Sequence, residues 1–152
     1  MHLYSVGVSC VMSFSSFGPI AVASRKLPLC LFQVPADFPS PAADHIEAQI
    51  SLDEVINIRA PHVYLVKISG ESMQGAGIFD GDLAVVDRAL EPAHDHIVVA
   101  LLNNEPLCKR LFIRGKDVIL LSENPKYPPR YVLEGDELAI WGVIIGSVRS
   151  HV

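Results

Sequence analysis

The 152-residue chain has little positive charge and no concentration of it: 12 Lys+Arg stand against 17 Asp+Glu, the net charge is −5, and no basic run exceeds two residues. A direct DNA binder needs a phosphate-neutralising surface, so direct nucleic-acid binding is not expected. Any link to nucleic acid runs through another protein. Cysteine is scarce as well. Cys10, Cys30 and Cys108 are odd in number, far apart and without a C-x-x-C pair, which argues against a disulfide framework or a zinc knuckle and for a reducing cytoplasm. Also missing is an apolar stretch of membrane-spanning length. Met1 to Ser24 contains no Asp, Glu, Lys or Arg, yet six serines, Gly7, Gly18 and Pro19 interrupt it, short of the roughly 18 to 20 apolar residues a span requires. Ala21-Val22-Ala23 has the small-x-small form of an export cleavage site, but the positively charged start of a signal peptide is absent. Neither a membrane nor an export role is expected. Internal repeats and low-complexity tracts are absent too.

What is present is apolar. Half the residues are hydrophobic and 19% are charged, enough for one folded domain with a short appendage. Arg25 to Ser40 has the composition of a linker, because Pro28, Pro35 and Pro39 remove backbone donors. In Pro41 to Asn57 the spacing of Ala42, Ala43, Ile46 and Ile50 predicts a short helical stretch, with a second turn from Ser51 and Glu54 as its capping box. From Pro61 onward the texture is β: His62 to Ser69, Leu83 to Asp87, His96 to Leu102, Pro106 to Ile113, Val118 to Leu121 and Leu138 to Val148 are Val-, Ile- and Leu-rich runs. Turns separate them at Asp80-Gly81-Asp82, Glu91-Pro92, Asn103-Asn104-Glu105, Arg114-Gly115-Lys116 and Asn124 to Arg130. The expected fold is mainly β: compact and partly closed, with a short N-terminal helical stretch and an extended leader. The apolar Ile140 to Val148 segment suits either a core strand or a partner surface.

One stretch stands out within this frame. Ser69-Gly70-Glu71-Ser72-Met73 closes an apolar run and is followed by Gly75, Gly77 and Gly81. A serine at such a junction exposes its hydroxyl while neighbouring amides converge, as an acyl-transfer nucleophile and its oxyanion hole require; the same residues also make ordinary turns. Further on, Lys109 lies in Leu107-Cys108-Lys109-Arg110-Leu111. Alternation along a strand puts 107, 109 and 111 on one face. An amine between leucines has its pKa lowered from about 10.4 by desolvation, which is how a lysine becomes a general base near neutral pH. The alternative is a lysine whose stem covers leucine while its head reaches water.

Taken together, Ser69-Gly70-x-Ser72-Met73 and Lys109-Arg110-Leu111 resemble the Ser-Lys peptidases of the LexA and UmuD type. Phe38-Pro39-Ser40-Pro41-Ala42-Ala43-Asp44, Gly77-Ile78-Phe79-Asp80-Gly81-Asp82-Leu83, Val85-Val86-Asp87 and Trp141-Gly142-Val143-Ile144 extend the resemblance over about residues 36 to 148, and F-P-S-P-A-A-D is nearer UmuD than LexA. The resemblance implies a LexA/signal-peptidase-like fold, Ser72 as nucleophile and Lys109 as base. Backbone amides of Gly70, Ser72 and Met73 are the oxyanion candidates. It also implies a self-cleaving protein of the SOS response, stimulated by the RecA filament on single-stranded DNA. It implies a homodimer as well, and a shortened form that serves a UmuC-like translesion polymerase; no cofactor or metal is expected. The leader is then 1–36, the peptidase domain 37–152, and the scissile bond Ala36-Asp37. UmuD relatives have glycine where Asp37 stands. Aspartate reaches positive φ at a cost, and its carboxylate repels a nearby oxyanion, so slower cutting is expected. A helix-turn-helix repressor role is not expected, because residues 1–36 carry no charged side chain besides Arg25 and Lys26 and no helical periodicity.

Four other readings compete. A Ser-His-Asp hydrolase would pair Ser72 with His94 or His96, but Gln74 stands where a G-x-S-x-G elbow needs its last glycine. His94-Asp95-His96 lacks a third metal ligand nearby. A leader peptidase shares the Ser-Lys chemistry but needs an anchor, and a pure interaction module of the same fold would not need the dyad.

Overall fold

The computed structural model describes residues 26–30 and 46–152, which fall into two units, one ending at Arg59 and the other running from Ala60 to Val152. In the first, Leu27–Cys30 (β1) pairs antiparallel with Ile46–Ile50 (β2), Leu27 lying opposite Ile50. Leu52–Ile56 (α1) follows. Two expectations are corrected here. The linker composition of 25–40 conceals a strand, and residues 46–50 are a strand rather than helix. Pro28 is tolerated because each strand of a two-stranded sheet has one edge that donates nothing. The helical stretch is confined to α1. Ser51 is its extended N-cap, but no side chain caps it, so the Ser51–Glu54 box does not form; Glu54 and Val55 N–H donate to the Ser51 carbonyl instead, at 3.1 and 3.2 Å. Asn57 ends the helix at φ 52°, a left-handed conformation that asparagine tolerates.

In the second unit the strands are Val63–Lys67 (β3), Leu83–Asp87 (β4), Ile97–Leu102 (β5), Glu105–Arg114 (β6), Asp117–Leu121 (β7), Arg130–Tyr131 (β8) and Leu138–Val148 (β9). They form one antiparallel sheet in the order β3-β4-β9-β5-β6-β7-β8. The expected partly closed architecture is therefore overturned: the sheet is open, with β3 and β8 at opposite edges. Regular strand spacing set the number of strands but not whether the first and last would meet. β8, two residues long, begins at Arg130, the last residue of the expected Asn124 to Arg130 turn.

β9 is central, paired to β4 on one side and β5 on the other, with register shifts against both. Gly142, opposite Val99 of β5, lies one residue beyond the last β4–β9 pair; a Cβ there would lie 2.5 Å from Val86 Cγ1. The β5–β6 hairpin turns through Asn103 and Asn104, both left-handed, as a two-residue hairpin loop demands. Alternation along β5 feeds two cores. Val98, Ala100 and Leu102 join Leu111, Val118, Leu120 and Val143, while Ile97 and Val99 pack against Ile68, Met73, Ile78, Ala84 and Val86. The Ser72 loop grows out of the second core, and Lys109 rises between β5 and β7.

Candidate active site

The Ser69–Met73 loop is tied down at both ends. Where β3 runs out, Ile68 N–H donates to the Asp82 carbonyl at 2.8 Å and its own carbonyl accepts from Gly81 N–H at 2.9 Å. Gly70 then turns at φ 93°, and its N–H donates to Asp80 Oδ1 at 2.7 Å. At the far end Met73, 2% exposed, plugs the second core. Its carbonyl accepts from Ala76 N–H, in the 3-10 turn Gln74–Ala76, and from Ile78 N–H just past it. Ser72 is half-buried between these anchors.

The carboxylates behind the loop are fixed in turn. Asp82 is buried and accepts Arg149 Nε and Nη2 at 2.6 Å each, and Phe79 N–H at 2.9 Å. Arg149 first, then the Phe79 amide, hold its pKa down at about 2. A two-pronged charge-assisted pair of this kind fixes direction as well as distance.

A second clamp comes from the chain leaving β7. Glu123 N–H donates to the Ser72 carbonyl at 2.8 Å, and the Glu123 carbonyl accepts Gly75 N–H at 2.7 Å. Asn124 Nδ2 adds a bond to the Glu71 carbonyl at 2.9 Å. Gly75 has no room for a side chain: a Cβ would fall 2.4 Å from the Glu123 carbonyl oxygen. The Glu123 carboxylate is gripped by Arg110 Nε, and Arg110 Nη1 also donates to the Asp95 carbonyl at 2.7 Å. None of Asp80, Glu123, Asn124 and Arg149 was expected at the site: Asp80 and Asn124 read only as turn residues, and the contacts of Glu123 and Arg149 are to residues far away in sequence, with no local pattern.

Lys109 lies in β6, opposite Val98 of β5, and is half-buried. Burial lowers its pKa from the ordinary 10.5, against a small opposing effect of Cys108. Nζ lies 5.8 Å from the centre of the Tyr127 ring. On the other face of the strand, burial pushes the Cys108 thiol up to about 11, so a thiolate nucleophile is not available there.

Register brings the two candidates toward one place. Arg110 pairs with Leu121, so the chain running on through Ser122 to Glu123 passes beside Lys109, and Glu123 grips Ser72. No hydrogen bond joins Ser72 Oγ to Lys109 Nζ in this structure. Of the oxyanion candidates, the Gly70 N–H is taken by Asp80, whereas Ser72 and Met73 N–H donate to no acceptor among the described residues. Ala36 and Asp37 lie outside the described residues.

The histidines are engaged elsewhere. His94 Nδ1 accepts from Ile113 N–H and His96 Nδ1 from Ala93 N–H, and the His94 ring packs edge-on to Phe112. Among the described residues no group of three His, Cys, Asp or Glu is placed to hold a metal ion, and no helix is long and apolar enough to cross a membrane.

The sequence model of the Peptidase S24-like family matches residues 28–145. The chain is 39% identical to the LexA repressor of Bordetella avium over 88% of its own length and 62% of the repressor's. With the LexA repressor of Cupriavidus taiwanensis it shares 41% identity, over 85% and 58% of the two chains. Protein MucA of Salmonella typhimurium is 36% identical over 91% of this chain and 93% of MucA. The chain thus spans about three-fifths of the LexA repressors it matches. A specific affinity to UmuD over LexA is not carried by these identities.

Proposed function

We propose, because the chain belongs to the Peptidase S24-like family and is therefore a serine peptidase, that Ser72 and Lys109 form its catalytic dyad and that it cuts its own leader. The observation that carries this reading is the pairing of a lysine whose pKa burial lowers with a serine held, by Glu123, to the strand end beside that lysine. Neutral Lys109 takes the Ser72 proton, the Ser72 oxygen attacks a peptide carbonyl, and the tetrahedral oxyanion receives the Ser72 and Met73 amides. Lys109 then gives its proton to the leaving amine, and water hydrolyses the acyl-enzyme.

A place for the substrate is suggested by the β3 edge. Ile68 N–H bonds to Asp82 and Arg88 N–H to the His62 carbonyl, so even-numbered residues of β3 face β4. Antiparallel alternation then turns the main-chain groups of Leu65 and Lys67 outward. No described strand covers that edge. An extended peptide added there would run directly toward Ser72.

The finer reading is a homodimeric, processed accessory subunit of an error-prone polymerase in the SOS response. It rests on the resemblance of Phe38 to Asp44 and on Ala36-Asp37 as the scissile bond. A gel of the purified chain with and without RecA, nucleotide and single-stranded DNA tests it. The expected result is RecA-stimulated conversion to 1–36 and 37–152, absent in Ser72→Ala. An intact wild-type chain under all conditions would reject self-cleavage and favour a non-cleaving interaction module.

A further inference from the structure

The segment leaving β7 contains a second hydroxyl that the mechanism above does not use. Ser122 Oγ is buried, and among the described residues it has no hydrogen-bond partner. A hydroxyl taken out of water without a replacement bond is a cost that folded chains seldom carry idly.

Strand register identifies its neighbour. β6 and β7 run antiparallel with Arg114 opposite Asp117 and Arg110 opposite Leu121, the last pair of the ladder, and continuing that register one residue past the end of β7 sets Ser122 opposite Lys109. Residues directly opposed across such a pair point to the same face, with Cβ atoms about 4.5–5.5 Å apart. That face is marked by Leu111, two residues after Lys109, and Leu120, two residues before Ser122, which are buried in the same core cluster. The Ser122 hydroxyl and the Lys109 side chain therefore rise together from one face, at the end of β7 where Glu123 grips Ser72.

We propose that Ser122 is a positioning residue for Lys109: its Oγ accepts a hydrogen bond from the Lys109 amine and so aims the nitrogen lone pair at Ser72. A neutral amine has two N–H groups and one lone pair. Fixing one N–H restricts rotation about Cε–Nζ and limits where the lone pair can point. After proton transfer the ammonium keeps the same bond, now charge-assisted. The groups that act electrostatically on this amine are Cys108, on the opposite face of β6, and the Tyr127 ring; both are left untouched in the test below. The effect on rate rests on Lys109 being the base, whereas the Ser122–Lys109 pairing does not.

Two readouts keep these apart. In full-length chain carrying Ser72→Ala to prevent self-cleavage, the titration of the Lys109 side chain is followed by NMR with labelled lysine, its signal assigned by Lys109→Arg. An accepted hydrogen bond favours the ammonium, so Ser122→Ala moves the midpoint to lower pH, by on the order of half a unit. Ser122→Thr retains it, and Ser122→Cys, a weaker acceptor of similar size, serves if the alanine variant fails to fold. An unchanged midpoint in the folded Ser122→Ala or Ser122→Cys variant overturns the pairing. In the active chain, Ser122→Ala lowers the plateau self-cleavage rate about tenfold and Ser122→Thr restores it; an unchanged plateau overturns the positioning role. Cleavage persisting in Lys109→Ala would reject the base assignment alone and leave the NMR midpoint to decide the pairing.

Discussion

Glu123 holds Ser72 by main-chain contact alone: its N–H donates to the Ser72 carbonyl while its carbonyl accepts from Gly75 N–H, a two-bond clamp across the loop that carries the proposed nucleophile. Because both bonds use backbone atoms, substitutions that move the backbone test the clamp more sharply than loss of the Glu123 side chain.

Gly75→Ala places a Cβ 2.4 Å from the Glu123 carbonyl oxygen, a contact relieved only if the loop or the strand end shifts. Overpacking of this kind costs about 1–3 kcal/mol, and displacing a nucleophile by about 1 Å lowers rates by roughly a hundredfold. The expected outcome is a lower thermal midpoint with a disproportionate loss of self-cleavage, read by calorimetry and a cleavage time course. Wild-type cleavage in the variant would show that the clamp does not position Ser72.

Asn124→Ala removes the bond from Asn124 Nδ2 to the Glu71 carbonyl, which is exposed. The loss is therefore small in stability and concentrated in the loop. A several-fold slower cleavage, by the worth of one hydrogen bond, is expected with a thermal midpoint within a degree or two of wild type. Parallel cleavage and melting measurements check it.

The Asp82–Arg149 pair sets a pH limit. Arg149 and the Phe79 amide hold the Asp82 pKa at about 2, below its ordinary 3.8. A depressed carboxylate pKa means the unfolded chain binds the proton more readily, so the stabilisation is present above about pH 4 and disappears as pH falls toward 2. Asp136, lowered by Asn103 and by the Leu133 amide, contributes in the same direction. Chemical denaturation across this range should show wild-type stability falling with acid, and a flatter profile in Asp82→Asn. Equal slopes in the two proteins would contradict the assignment.

The direction of the Lys109 shift fixes the sign of the pH–rate profile. Burial lowers the amine pKa below 10.5, so the neutral base accumulates as pH rises and self-cleavage accelerates to a plateau with a midpoint below that value. A rate that falls on the alkaline side through the same range would assign the work to a protonated group instead.

Much of the second unit was legible because its strands are short Val-, Ile- and Leu-rich runs between turn residues. Leu83–Asp87 and Leu138–Val148 have the bounds the sequence predicts, and Asn103-Asn104 marks a hairpin. The first unit was not, because Ile46 and Ile50 fit a helical spacing as well as a strand and only pairing with Leu27–Cys30 decides between them. Closure failed for the same reason: whether β3 meets β8 depends on contacts distant in sequence. Ser72 and Lys109 were named from their motifs. The use of Gly70 N–H by Asp80 and the grip of Glu123 on Ser72 are tertiary contacts that leave no periodic trace.

The most direct test of the dyad is an intact-mass time course of purified wild type, Ser72→Ala and Lys109→Ala at mildly alkaline pH, where the neutral fraction of the base rises. Loss of residues 1–36 in wild type alone, leaving both variants whole, is the predicted result. Cutting at Ala36-Asp37 in either variant at the wild-type rate would contradict it.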